Sequence, residues 1–200
     1  MPIIKNMQKT TIHEMNRLTV EEFHKAEKLP LVVVLDDVRS LHNVGSVFRT
    51  ADAFRLQAIC LCGITAVPDD VKTADGTVIK EASLKASQEI HKTALGAEES
   101  VSWQYFKSAE EAVEKLKNDG FIVMAIEQCH GSTMLQDFLP MPGKGYAIVL
   151  GNEVKGVHQD VVDQCDGCLE IPQFGTKHSL NVSVTAGIAI WHFVQQNEYR

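Results

Sequence analysis

The feature that most constrains this chain is a series of short, unbroken apolar runs separated by helical patterns. Residues 31–35, LVVVL, are rich in β-branched side chains and show no polar alternation. Such a run is buried on both faces, as in parallel strands covered by helices on either side. Similar unbroken runs occupy residues 58–62, 121–126 and 146–150; residues 169–171, interrupted by Glu170, and the more aromatic residues 101–106, interrupted by Ser102 and Gln104, also read as short strands. Helical spacing fills the gaps. Val44, Val47, Phe48 and Ala51 share one side of a stretch from Asn43 to about Phe54, with Asn43 as its expected N-cap. Residues 81–95, 108–120 and 159–165 are helix-compatible, and Ser108 to Glu111 reads as a capping box. Residues 180–195 carry the longest apolar helix pattern, with Val184, Ile188 and Trp191 at helical spacing. Alternation of this kind predicts an α/β fold, a parallel sheet flanked by helices on both faces.

Residues 65–80 and 131–144 are polar or rich in Pro and Gly and are expected to be loops. Residues 1–29 form a short N-terminal extension before the main domain, residues 30–200. A helix is predicted from about Thr19 to Lys28. It reads as an edge helix covering the core; a substrate-binding arm using Lys5, Lys9 and Arg17 is the weaker alternative.

Several functions are disfavoured at once. No G-x-G-x-x-G follows the first strand, and neither G-x-x-x-x-G-K-[ST] nor H-E-x-x-H occurs. No run approaches the roughly 20 apolar residues of a membrane helix, and no secretory signal opens the chain. A cytoplasmic protein without a membrane partner is expected. Cys165 and Cys168 form one C-x-x-C, but no second pair completes a zinc site, so no metal is expected. The five cysteines read as buried or half-buried thiols. The net charge of −7 argues mildly against a nucleic-acid partner without excluding a local basic patch.

Polar clusters stand at the ends of three of the apolar runs. They are Asn43-x-Gly45-x-x-x-Arg49-Thr50, Gly151-Asn152-Glu153-x-x-Gly156, and Ile171-Pro172-x-x-Gly175-x-x-x-Ser179-Leu180-Asn181. Each alone has an ordinary reading. The first is a capped helix with a surface arginine paired to Asp52 or Asp36, the second a glutamate paired to a lysine, the third a helix cap. Two strand ends meeting the start of the last helix would instead form a cup lined by backbone groups, suited to a small polar cofactor.

In this order the clusters resemble the SpoU (TrmH-like) branch of the SPOUT RNA methyltransferases, over about residues 31–193. The resemblance implies a parallel α/β sheet with a C-terminal trefoil knot, S-adenosyl-L-methionine as methyl donor, and a homodimer. It implies methylation of ribose 2′-hydroxyls of tRNA or rRNA. The lack of an appended domain before Leu31 makes tRNA the more expected RNA. By the same resemblance Arg49 sits at the reacting hydroxyl, and Asn43, Glu153, Ser179 and Asn181 shape the active site. Leu150, Gly151, Ile171 and Leu180 hold the cofactor, largely through backbone. A side chain at Gly151 should then block the donor and spare the fold. The dimer is expected to use the first and last helices of the domain, with Ile188, Trp191 and Phe193 supplying apolar surface. A non-catalytic RNA-binding or ribosome-assembly protein on the same fold is the alternative, and the intact set of Arg49, Glu153 and Asn181 argues against it.

Overall fold

The apolar runs are strands of one sheet in the computed structural model, which describes residues 8–11 and 13–197. The chain order is α1 (Val20–Lys25), β1 (Leu29–Asp36), α2 (Leu41–Ala53), β2 (Leu56–Cys62), β3 (Val71–Lys72), β4 (Val78–Lys80), α3 (Leu84–Ala94) and α4 (Ala97–Ser100). It continues through β5 (Trp103–Phe106), α5 (Ala109–Asn118), β6 (Ile122–Ile126), β7 (Thr133–Met134), β8 (Tyr146–Leu150), α6 (Gln159–Gln164), β9 (Gly167–Glu170) and α7 (Val182–Gln196). The main sheet runs β5-β2-β1-β8-β6-β9-β7, and its strand pairs are parallel.

The unbroken run in β1 has a direct physical cause. Leu31, Val33 and Leu35 enter an apolar cluster with Val44, Val47 and Phe48 of α2 and Ile190 and Phe193 of α7. Val32 and Val34 point the other way, into a cluster with Ala112 and Val113 of α5 and Val161 of α6. Both faces are therefore dry from Leu31 to Leu35, so those positions carry only apolar side chains. Truncation of fully buried Leu35 to Ala falls in the class that costs about 2–5 kcal/mol. Among the described residues no helix is long and apolar enough to cross a membrane.

The structure departs from the sequence reading at several short elements. Helix α1 stops before Lys28, because Ala26 turns extended and the Lys28 ammonium takes the carbonyls of Phe23 and Ala26. Its start is the reciprocal box of Thr19 and Glu22. At Ser108 the box is half made: Glu111 N–H reaches the Ser108 hydroxyl, but the Glu111 carboxylate accepts from Lys107 N–H. Residues 65–80 contain the antiparallel pair β3 and β4, and residues 131–144 contain edge strand β7. Strands of two or three residues are too short to show a period. Of the proposed arm, Lys5 lies outside the described residues.

Candidate active site

The site is built on the loop that follows β8. Buried Asn152 organises it: its backbone N–H and C=O exchange hydrogen bonds with Gly156 at 3.0 and 2.8 Å. Its Oδ1 accepts from Val154 N–H at 2.9 Å, and its Nδ2 donates to the Asp37 carbonyl at the end of β1 at 2.8 Å. The turn is so tight that a Cβ on Gly151 would stand 2.0 Å from the Gly156 carbonyl carbon. Neither side of that contact can yield, being backbone. The expectation that a side chain at Gly151 spares the fold is therefore corrected: it would displace the 151–157 loop itself.

Glu153 projects from this loop towards the start of α2. Its Oε1 accepts from Ser40 N–H at 2.9 Å and Asn43 Nδ2 at 3.0 Å, and its Oε2 accepts from Arg39 N–H at 3.0 Å. Burial pushes its carboxyl up, but the backbone donors of Arg39 and Ser40 and the Asn43 amide outweigh that and hold it below the ordinary glutamate value. Asn43 Oδ1 then accepts from Asn181 Nδ2 at 3.1 Å. Asn181 is the N-cap of α7, its Oδ1 accepting from Ser183 and Val184 N–H. Glu153, Asn43 and Asn181 thus form one relay that ties together the three polar clusters.

The expected N-cap role of Asn43 is overturned. Ser40 caps α2, and Asn43 lies three residues later, buried, with its side chain committed to Glu153 and Asn181. Serine before an apolar stretch is as good a cap as asparagine, and the cap chosen is the one that leaves the asparagine free for the relay. Gly45 of the same cluster serves packing: a Cβ there would meet Thr93 Oγ1 at 2.1 Å and the Ile90 carbonyl at 2.3 Å, so glycine lets α2 and α3 approach.

Beside the relay lies a cavity of about 660 Å³. Leu150 and Gly151, Ile171, and Ser179 to Asn181 line it, so the four expected cofactor positions and Glu153, Ser179 and Asn181 meet there. Ser179 is exposed. Arg49 is exposed on α2, outside that lining, and makes no hydrogen bond or ion pair with any described residue. The acids proposed to pair with it are engaged elsewhere: Asp52 accepts from Ser100 Oγ at 2.6 Å, and Asp36 is buried against His158.

Sequence reasoning missed two residues just past β6. Glu127 Oε2 accepts from Val157 N–H at 3.0 Å and would stand 2.2 Å from a Cβ on Gly156. Gln128 Nε2 donates to the His178 carbonyl at 2.6 Å. Each closes one of the two loops of the cup. A polar pair after an apolar strand carries no local signature, so only the tertiary arrangement reveals it.

Asp36, Asp37 and His158 bring ligand-type atoms within 4.8 Å of one another. Protein donors already face part of this cluster: Asp36 accepts from the His158 backbone N–H and faces its Nδ1, and Asp37 Oδ1 accepts from Ile64 N–H. Burial nevertheless keeps the Asp36 carboxyl above the ordinary value, with His158 offsetting part of the rise.

Residues 69–191 match the model of the SpoU rRNA Methylase family. The chain belongs to that family. The 23S rRNA (guanosine-2'-O-)-methyltransferase RlmB of Pseudomonas aeruginosa is 31% identical over 176 residues, 88% of this chain and 63% of that protein. RlmB of Neisseria meningitidis serogroup B is 32% identical over 80% of this chain and 56% of its own length. This SpoU-family chain therefore spans about six-tenths of the curated relatives it matches. Among solved structures, the A. aeolicus TrmH/SpoU tRNA modifying enzyme superposes with a TM-score of 0.68 at 25% identity, covering 88% of this chain and 79% of that one. The SPOUT fold expected from the motifs is borne out, and the trefoil knot is implied by that fold.

Proposed function

We propose that this chain is an RNA methyltransferase that transfers a methyl group from S-adenosyl-L-methionine to a ribose 2′-hydroxyl. The observation that carries the reading is the Glu153–Asn43–Asn181 relay, which gathers the family's three polar clusters at the rim of one cavity. The residues present fit the donor. The cavity of about 660 Å³ is within the range of small-molecule sites, and Gly151 leaves room only for backbone. Leu150 and Gly151, Ile171 and Leu180 would hold the donor, whose sulfonium supplies the methyl group.

The chain's own residues have a positioning and electrostatic task. A ribose hydroxyl is a weak acid, and charge develops on its oxygen as the methyl arrives. Glu153 is spent on three donors and is a brace for the rim, not a free base. Arg49 keeps its guanidinium for substrate. Arginine is almost never deprotonated, so its role is to clamp the adjacent phosphate bidentately and stabilise the developing alkoxide. The 2′-hydroxyl is also what separates RNA from DNA at the site.

A homodimer belongs to the same proposal. On α7, Val184, Ile188 and Trp191 are 50%, 38% and 48% exposed, whereas Phe193, expected to join them, is buried in the core. Trp191 lies against Phe54 at the end of α2, with ring centroids 5.7 Å apart, so the exposed stripe spans the first and last helices of the domain. Sedimentation at micromolar concentration should show a dimer, and a monomer there would remove this part.

The substrate is tested with labelled donor on total tRNA beside total rRNA, followed by nuclease mapping of the labelled nucleotide. Label in tRNA is the outcome expected from the sequence; label in rRNA assigns the class named for the RlmB relatives. Donor binding by calorimetry with no transfer to either RNA would favour a non-catalytic RNA-binding protein.

A further inference from the structure

Beside the cup, residues distant in sequence bring two thiols together. Cys129 follows Glu127 and Gln128 in the turn after β6, and Cys168 stands on β9 opposite Ala125. Their sulfurs are 3.1 Å apart, and the Cys168 thiol also lies 3.2 Å from the Glu127 carbonyl oxygen. A disulfide needs about 2.05 Å, so closing the gap takes a movement of about 1 Å. Both residues are half-buried, in contrast to fully enclosed Cys60 and Cys62.

We propose that Cys129 and Cys168 form a reversible disulfide under peroxide, and that this bond weakens the hold of the cup on its ligand. The electron balance is simple. The Cys129 thiolate attacks hydrogen peroxide, becomes a sulfenic acid and releases hydroxide. The Cys168 sulfur then attacks the Cys129 sulfur; the S–O bond breaks, and the departing hydroxide takes the Cys168 proton to leave as water. Two thiols are oxidised and one peroxide is reduced to two waters; a dithiol such as dithiothreitol reverses the bond by exchange. Burial, aided by the Cys129 sulfur, holds the Cys168 thiol above its ordinary value, so Cys168 is the slower sulfur towards peroxide and its attack on the sulfenic acid sets the pace of closure.

The structural consequence follows from what each sulfur is fixed to. Cys168 is held in the sheet between β6 and β7. Cys129 is in a turn whose own bond is Ser132 N–H to the Cys129 carbonyl. The turn therefore moves towards the strand, carrying Gln128, the previous residue, whose amide holds the His178 carbonyl at the cup. Loss of one such hydrogen bond corresponds to about a two- to tenfold fall in affinity.

The effect on binding rests on the cup being the methyl donor's site; the bond itself does not. The full chain is treated with hydrogen peroxide, digested without reductant and mapped by mass. A dithiothreitol-reversible link between the Cys129 and Cys168 peptides is expected. Calorimetry of the same sample should show S-adenosyl-L-methionine bound about two- to tenfold more weakly than by reduced protein. Cys129→Ser and Cys168→Ser should each abolish both responses, and Cys165→Ser should keep both. A Cys165–Cys168 link in place of this one, or no link at Cys129, overturns the proposal. A complete Cys129–Cys168 link with unchanged affinity overturns the coupling to the cup. Failure of the reduced protein to bind donor would overturn the reading of the cup, and the peptide map would still decide the bond.

Discussion

Two polar residues, Asn43 and Arg49, sit on the same helix, α2, and are treated in opposite ways by the fold. Asn43 is buried and bonded at both ends of its amide, to Glu153 and Asn181. Arg49, six residues on, faces solvent and is bonded to no described residue. The Asn43 bonds define the shape of the rim, because its buried amide would carry a desolvation penalty if either partner were lost, whereas Glu153 and Asn181 are exposed. An arginine without an internal partner contributes little to folding and keeps its donors for a ligand. The contrast separates the residues that frame the site from the one that reaches out of it.

The widest expected effect tests the free side of that comparison. Arg49→Ala should slow single-turnover methylation about a hundredfold to a thousandfold, yet change unfolding free energy by no more than about 0.5 kcal/mol. Arg49→Lys should also be slow, since the planar fork is lost. Donor affinity by calorimetry should be retained in both. Turnover within a few-fold of wild type would break the comparison at its functional end.

Glu153→Gln strikes the frame. One of its two carboxylate acceptors becomes an NH₂ facing a backbone N–H; because Glu153 is exposed and water can take up the lost bonds, about 0.5–1.5 kcal/mol of stability should be lost in urea titration. The sign with pH is definite. The folded carboxyl titrates below its ordinary value, so its stabilisation is present above the ordinary glutamate pKa and disappears as pH falls through the folded one. Wild type and Glu153→Gln should therefore converge in acid; a gap that widens there would contradict the relay.

Asn181 sharpens the comparison because it both caps and links. Asn181→Ala should cost about 0.5–2 kcal/mol as a lost N-cap. Asn181→Asp keeps the acceptor for Ser183 and Val184 N–H but sets an oxygen against Asn43 Oδ1, so it should retain the helix and lose activity. Equal activity of Asn181→Asp and wild type would reduce Asn181 to a cap. Ser179→Ala should be the mildest, within about 0.5 kcal/mol in stability, because Ser179 is exposed on the cavity wall. A larger loss would move Ser179 into the frame.

The sequence carried the sheet well for a specific reason. In β1, β6 and β8 both faces are buried, so the apolar runs are continuous and their type is plain. The cup was legible from three polar clusters at strand and helix ends, and Leu150, Gly151, Ile171 and Leu180 do meet there. What stayed hidden depends on partners far along the chain. Asn43 reads locally as a cap until Glu153 and Asn181 are seen to claim it. Glu127 and Gln128 look like an ordinary polar turn until the backbones of Val157 and His178 arrive beside them. The exposed stripe of α7 shared helical spacing with a core stripe, and only its burial separated Phe193 from Trp191.

The reach of the relay has a kinetic meaning. Its bonds join residues 114, 113, 110 and 138 positions apart, so none can form until most of the chain has been made and the sheet has closed. Such contacts carry a large loop-closure cost and come late in folding. The amide protons of Arg39 and Ser40 lie between β1 and α2 and have the Glu153 carboxylate as their partner. In native-state hydrogen exchange those two amides report when the rim opens, independently of global unfolding. A chain whose core is intact but whose rim is open would be folded by most spectroscopic measures, exchange fast at residues 39 and 40, and have lost the brace that holds the loop after β8 against the start of α2.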